Sequence, residues 1–127
     1  MIQKMSHTTI FVLDQDLAKD FYINKLGFDL KADYTAPNGF RWLAVAPKGQ
    51  DIQVALTKIG AAEEAAAKAG QPAADPKDLD AMTMLVKKGM LGFGSFHTAD
   101  CRKTYDELKA KGWVIEDSPK GQRLKKL

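Results

Sequence analysis

The chain of 127 residues has one cysteine, two histidines and two tryptophans, and aromatic Phe, Trp and Tyr make up only 9% of it. With Cys101 alone, no disulfide can form within the chain, so the fold has to rest on side-chain burial. No apolar run approaches the roughly 20 residues that a membrane-crossing helix needs, and the opening Met1-Ile-Gln-Lys-Met lacks the apolar stretch of a secretory signal. A cytoplasmic location is therefore expected. Gly-rich phosphate loops, Cys-x-x-Cys pairs and Gly-x-Ser-x-Gly elbows are all missing, which argues against nucleotide, structural-zinc and serine-hydrolase chemistry. Cys101 follows a helix-cap carboxylate, Asp100, that opposes the pKa depression a helix N-terminus provides. With no base near it in sequence, it is not expected to act as a nucleophile.

Neither sign of charge dominates the chain, with 19 Lys and Arg against 16 Asp and Glu. The formal net charge is +3, but Lys120, Arg123, Lys125 and Lys126 crowd the last eight residues, which hold no acid. Setting those four cations aside leaves a net of about −1 for the first 119 residues, so the basic character belongs to a tail. A second basic stripe and interleaved aromatics are absent. Nucleic acid and membrane are therefore not expected as partners.

What is present is a segment that occurs twice. Residues 7 to 34 read as a strand (His7 to Leu13), an acidic helix start (Asp14, Asp16), a helix closed by Leu26-Gly27, and a second strand (Phe28 to Tyr34). Residues 93 to 117 repeat that order: Phe93 to Ala99, Asp100, a helix with Tyr105 and Leu108, Gly112 as the stop, then Trp113 to Asp117. A repeat at this spacing is two copies of one supersecondary unit rather than a solenoid.

Pro37-Asn38-Gly39 and Lys48-Gly49-Gln50 are turn signals that join three antiparallel strands. Between the units, 61–69 reads as an alanine-rich helix stopped by Gly70. Asp75 and Pro76 open a second helix with Leu79, Met82, Leu85 and Val86 at helical spacing and Gly89 as its stop. The division expected is residues 1–59 for the first unit, 60–90 for a helical linker and 91–127 for the second unit with its basic tail, in one structural domain. No hairpin is expected after Asp117. The last strands of the second unit are expected to be lacking, or supplied by a partner chain.

The run His7-x-x-x-x-Val12-x-Asp14, continued by Phe21-Tyr22-x-x-x-Leu26-Gly27-Phe28, resembles the vicinal oxygen chelate superfamily, which includes glyoxalase I, extradiol dioxygenases, fosfomycin-resistance and bleomycin-binding proteins. The resemblance implies an α+β fold of paired βαβββ units forming a curved mixed sheet around a cup, here with an incomplete second unit. Segments 40–45 and 51–56 match the third and fourth strands of the first unit. In the metal-using branch the first and last strands of each unit supply the ligands of a divalent cation. By position His7 matches the first ligand and Gln53 the second, but Phe93, which cannot ligate, stands at the third.

The resemblance thus implies a glyoxalase/bleomycin-resistance-like protein that binds a small organic molecule in its cup without a metal cofactor. The alternative is a metal-dependent lyase, isomerase or dioxygenase, using a divalent metal at His7 and Gln53 with the site completed across a homodimer. The ligand-contacting residues expected are His7, Phe11, Arg41, Trp42, Gln53, Phe93 and His97. Strand alternation places Trp42 on one face and Arg41 on the other, so only one of them can face the cup. Catalytic residues are not assigned. The aromatics, Phe40, Phe96 and Trp113 among them, suit either a core or a cavity lining.

Overall fold

The computed structural model describes residues 1–91, 94–118 and 121–126. It divides into two compact units, Met1–Gly94 and Ser95–Leu127.

In the first unit, strand β1 (His7–Val12) leads through the N-cap Asp14 into helix α1 (Gln15–Asp20). The Asp14 carboxylate accepts a 3.0 Å hydrogen bond from the backbone N–H of Leu17, satisfying a donor that no helical carbonyl can reach. The helix then widens into a π-helical stretch, Phe21–Lys25, marked by the Leu26 N–H donating to the Phe21 carbonyl at 3.0 Å. Gly27 ends it at φ 76°, the left-handed region that glycine enters without steric cost.

Strands β2 (Asp29–Thr35), β3 (Arg41–Ala46) and β4 (Gln53–Lys58) follow, and the sheet runs β1-β4-β3-β2. β1 and β4 are parallel, and the other neighbours are antiparallel. This is a βαβββ unit with its helix on one face. Helices α2 (Ala61–Lys68) and α3 (Pro76–Lys87) form where the sequence signals them, α3 with Asp75 as cap and Pro76 at the first position.

The second unit departs from its expected copy. Residues 94–99 carry no strand, and Phe93 lies outside the described residues. Gly94 and Ser95 have little strand preference, and among the described residues the segment has no ladder partner to override it. Helix α4 (Cys101–Ala110) forms behind Asp100, whose carboxylate accepts from the Lys103 N–H at 2.9 Å. Strand β5 (Trp113–Ser118) then pairs antiparallel with a strand that was not expected, β6 (Gly121–Lys126). Within Gly121–Lys126 only Leu124 is apolar, so the segment shows no strand period in its sequence. Two residues separate β5 from β6 in sequence, the favoured hairpin loop length, and the register sets Glu116 opposite Arg123. Among the described residues this unit has a helix and a two-stranded sheet in place of a full βαβββ set.

Candidate functional site: the face of the first sheet turned away from its helix

Alternation divides the four strands into two faces of different chemistry. On the helix face Ile10, Leu43, Val45, Val54 and Leu56 pack with Tyr22 and Phe28 into the core, and Leu43, Val45 and Leu56 are at most 1% exposed. Burial raises the Tyr22 phenol above its ordinary pKa.

The rim of this face carries an ion-pair network. The Asp33 carboxylate accepts from Arg41 Nε at 2.8 Å and Nη2 at 3.0 Å, and from Lys19 Nζ at 2.8 Å. Arg41 Nη1 donates to Asp16 at 2.7 Å. The two-pronged Arg41 contact, then Lys19, holds the Asp33 carboxyl well below the usual carboxylate range; Asp33 and Asp16 in turn raise Arg41. The network ties α1 to β2 and β3.

Arg41 therefore stands on the opposite face from Trp42, with its guanidinium committed to carboxylates. The fold thus separates the two candidates Arg41 and Trp42 onto opposite sides of the sheet.

The other face has a floor of small side chains. The register aligns Ala44 with Ala55 and Ala32, and Ala46 takes the next position along β3 on the same side. Ala44, Ala46 and Ala55 are buried. Around them stand taller groups: His7 and Phe11 on β1, Gln53 and Thr57 on β4, Trp42 on β3 and Tyr34 on β2. His7 is in register with Gln53, Phe11 with Thr57, and Trp42 with Tyr34. The rings of His7 and Trp42, on strands that flank β4, meet edge-to-face with centroids 5.4 Å apart. That geometry suits the aromatic quadrupole. Small residues beneath allow such a contact across an intervening strand. The His7 Nδ1 shares a 2.9 Å hydrogen bond with the Ser6 hydroxyl.

Of the residues expected at the site, the fold thus gathers His7, Phe11, Trp42 and Gln53 on one face. His97 is an exposed residue of the second unit. Cys101 is exposed at the start of α4. For a metal, His7 and Gln53 offer one imidazole and one amide oxygen. Among the described residues no group of three or more His, Cys, Asp or Glu side chains could hold a metal ion. His7 and Gln53 would supply two of the four donors that the resemblance implies for the metal-using branch.

Two residues that tie elements of this sheet together, Asp33 and Gln15, whose amide donates to the Arg41 and Leu56 carbonyls, went unread in the sequence. Asp33 could have been found from the hairpin at Asn38, whose register brings an acid and a base onto neighbouring strands. Gln15, between two acids at a helix start, gave no signal.

A four-stranded mixed sheet in the order β1-β4-β3-β2, backed by a helix that crosses from the first strand to the second, defines the α+β architecture of the glyoxalase fold. The chain belongs to the Glyoxalase/Bleomycin resistance protein/Dioxygenase superfamily, whose family model matches residues 4–125. It is 39% identical over 118 residues to the uncharacterised protein YurT of Bacillus subtilis (strain 168), covering 91% of this chain and 80% of that one. Among solved structures it is similar to UcmS2, at 36% identity and TM-score 0.76 over 94% of this chain and 82% of that one. It is also similar to TnmS3, an antibiotic binding protein from Streptomyces sp. CB03234, at 28% identity and TM-score 0.61 over 97% and 84% of the two chains.

Proposed function

We propose that this chain binds a small, flat aromatic organic molecule of the antibiotic kind and acts by sequestering it, with no metal cofactor. The observation that carries the reading is the His7–Trp42 ring pair raised over buried alanines, with Phe11 and Tyr34 on the same face. Aromatic walls over a small-residue floor suit a planar ring system, which gains burial and edge or stacking contacts together. Gln53 and the His7 imidazole are hydrogen-bonding groups that would fix a polar edge of the ligand. The likeness to an antibiotic binding protein supports the same ligand class. Function as a cytoplasmic homodimer belongs to this reading.

The test is fluorescence titration of a Trp113→Phe variant, in which Trp42 is the sole indole, with bleomycin and a panel of fused-ring aromatic antibiotics. Saturable quenching with at least one of them, lost in Trp42→Ala by an independent calorimetric assay, is the expected result. Absence of saturable binding up to about 1 mM, an affinity of roughly 4 kcal/mol, would sink the proposal.

A further inference from the structure

The strands of the first sheet are not paired equally along their length. The β1–β4 ladder runs through six residues to Val12 opposite Lys58, and β2–β3 reaches Thr35 opposite Arg41. Between β3 and β4 the pairing is confined to Ala44 opposite Ala55 and Val45 opposite Val54. These two strands therefore part company toward the end that carries Trp42, and their backbone groups there need other partners.

The partner is a side chain. Gln15 Nε2 donates to the Leu56 carbonyl at 2.9 Å and to the Arg41 carbonyl at 3.3 Å. One carbonyl lies on each of the separating strands, and both contacts are part-buried. Both acceptors are carbonyl oxygens, so the amide orientation is fixed by chemistry: only the NH2 end can serve them. Gln15 is held in place by its position as the first residue of α1, directly after the Asp14 cap. Arg41 is held from its other end by Asp33 and Asp16. The residue that follows Arg41 is Trp42.

We propose that Gln15 is a positioning residue for the ligand face: its amide bridges the gap where β3 and β4 separate and thereby sets the place of the Trp42 ring against His7. The inference deepens the proposed function and rests on it for its consequence in binding, but its structural half stands alone. A glutamine on the far side of the sheet acts through two main-chain carbonyls on a ring it does not touch.

The test compares Gln15→Met, of similar length with no N–H, with Gln15→Lys, which keeps a donor at similar reach, both in the Trp113→Phe background. The Trp42 emission and its accessibility to acrylamide are read first without ligand, then the affinity for whichever aromatic antibiotic binds the parent. Expected are an altered Trp42 signal and an affinity weakened roughly three- to tenfold in Gln15→Met, the range that loss of one to two hydrogen bonds would give. Gln15→Lys should lie nearer the parent in both. A lower melting temperature with unchanged Trp42 signal and unchanged affinity would overturn the inference, because a merely structural glutamine would give that result. If no antibiotic binds the parent while the Trp42 signal still separates Met from Lys, the positioning role stands and the ligand reading fails. Should Gln15→Met not fold, nuclear Overhauser contacts from the Gln15 side-chain NH2 to the amide protons of Trp42 and Thr57 in the parent are expected, and their absence overturns the placement.

Discussion

The two faces of the first sheet are built from the same four strands and are chemically unlike. Toward the helix, large aliphatic residues such as Leu43, Val45 and Leu56 fill the core and charged groups are tied to one another. On the reverse, alanines lie between aromatic and amide groups that are partly or largely exposed. Adjacent residues thus have separate surroundings: Arg41 is paired with Asp33 and Asp16, and Trp42 meets the His7 ring on the opposite face. The lesson is that a one-residue parity decides which side chain is structural and which can meet a ligand.

The sharpest way to break this contrast is to exchange the faces' properties. Leu43→Ala should cost about 3 kcal/mol by leaving a cavity in the core, with ligand affinity of the folded fraction nearly kept. Ala44→Leu should cost about 1–3 kcal/mol through overpacking and abolish aromatic binding by pushing the rings apart. Urea denaturation and calorimetric titration separate the two; equal loss of affinity in both variants would show that the faces are not independent.

Next in size is the ion-pair network. Asp33→Asn should lower stability by about 2 kcal/mol, less than a fully buried pair because its groups remain partly accessible to water. The sign of its pH dependence follows from a depressed folded pKa. The contribution is fully present above the unfolded carboxylate value near pH 4, and it is lost as pH falls below that toward the folded value. Thermal melts from pH 7 to pH 2 should show parent and variant converging only below about pH 4. Convergence near neutral pH would refute the assignment.

Smaller still is the effect expected for His7→Ala. The imidazole is exposed, so stability should change by less than about 1 kcal/mol, while loss of the edge contact with Trp42 should shift the Trp42 emission and weaken an aromatic ligand several-fold. The least effect is expected from a chelator. Treatment with EDTA should leave aromatic binding unchanged; a binding loss restored by one divalent ion per chain would favour the metal-dependent alternative instead.

Much of the secondary structure was legible in the sequence. Turn residues at Asn38-Gly39 and Gly49, the stop at Gly27 and the caps Asp14, Asp75 and Asp100 are local signals, and elements formed beside each. The second unit was less legible because a strand is a property of its partner as much as of its own residues. Residues 94–99 hold the place of a strand in the repeat and did not form one, whereas Gly121–Lys126 lacked the period and pairs with β5. At the site, the His7 and Phe21-Tyr22 motif pointed to the family and to His7, and Trp42 and Gln53 followed from strand positions.

By itself the sequence determined the secondary-structure punctuation, the βαβββ order and the family, because each rests on contacts between residues near one another in the chain or on a linear motif. Which of Arg41 and Trp42 lies on the helix side was decided only by the tertiary structure, since alternation supplies two answers until helix α1 covers one side. The pairing of Asp33 with Arg41, the His7–Trp42 contact and the Gln15 bridge between separating strands are likewise tertiary facts. They depend on groups 8 to 41 residues apart in sequence meeting at hydrogen-bonding or ring-contact distance, and no periodicity in the chain records such a meeting.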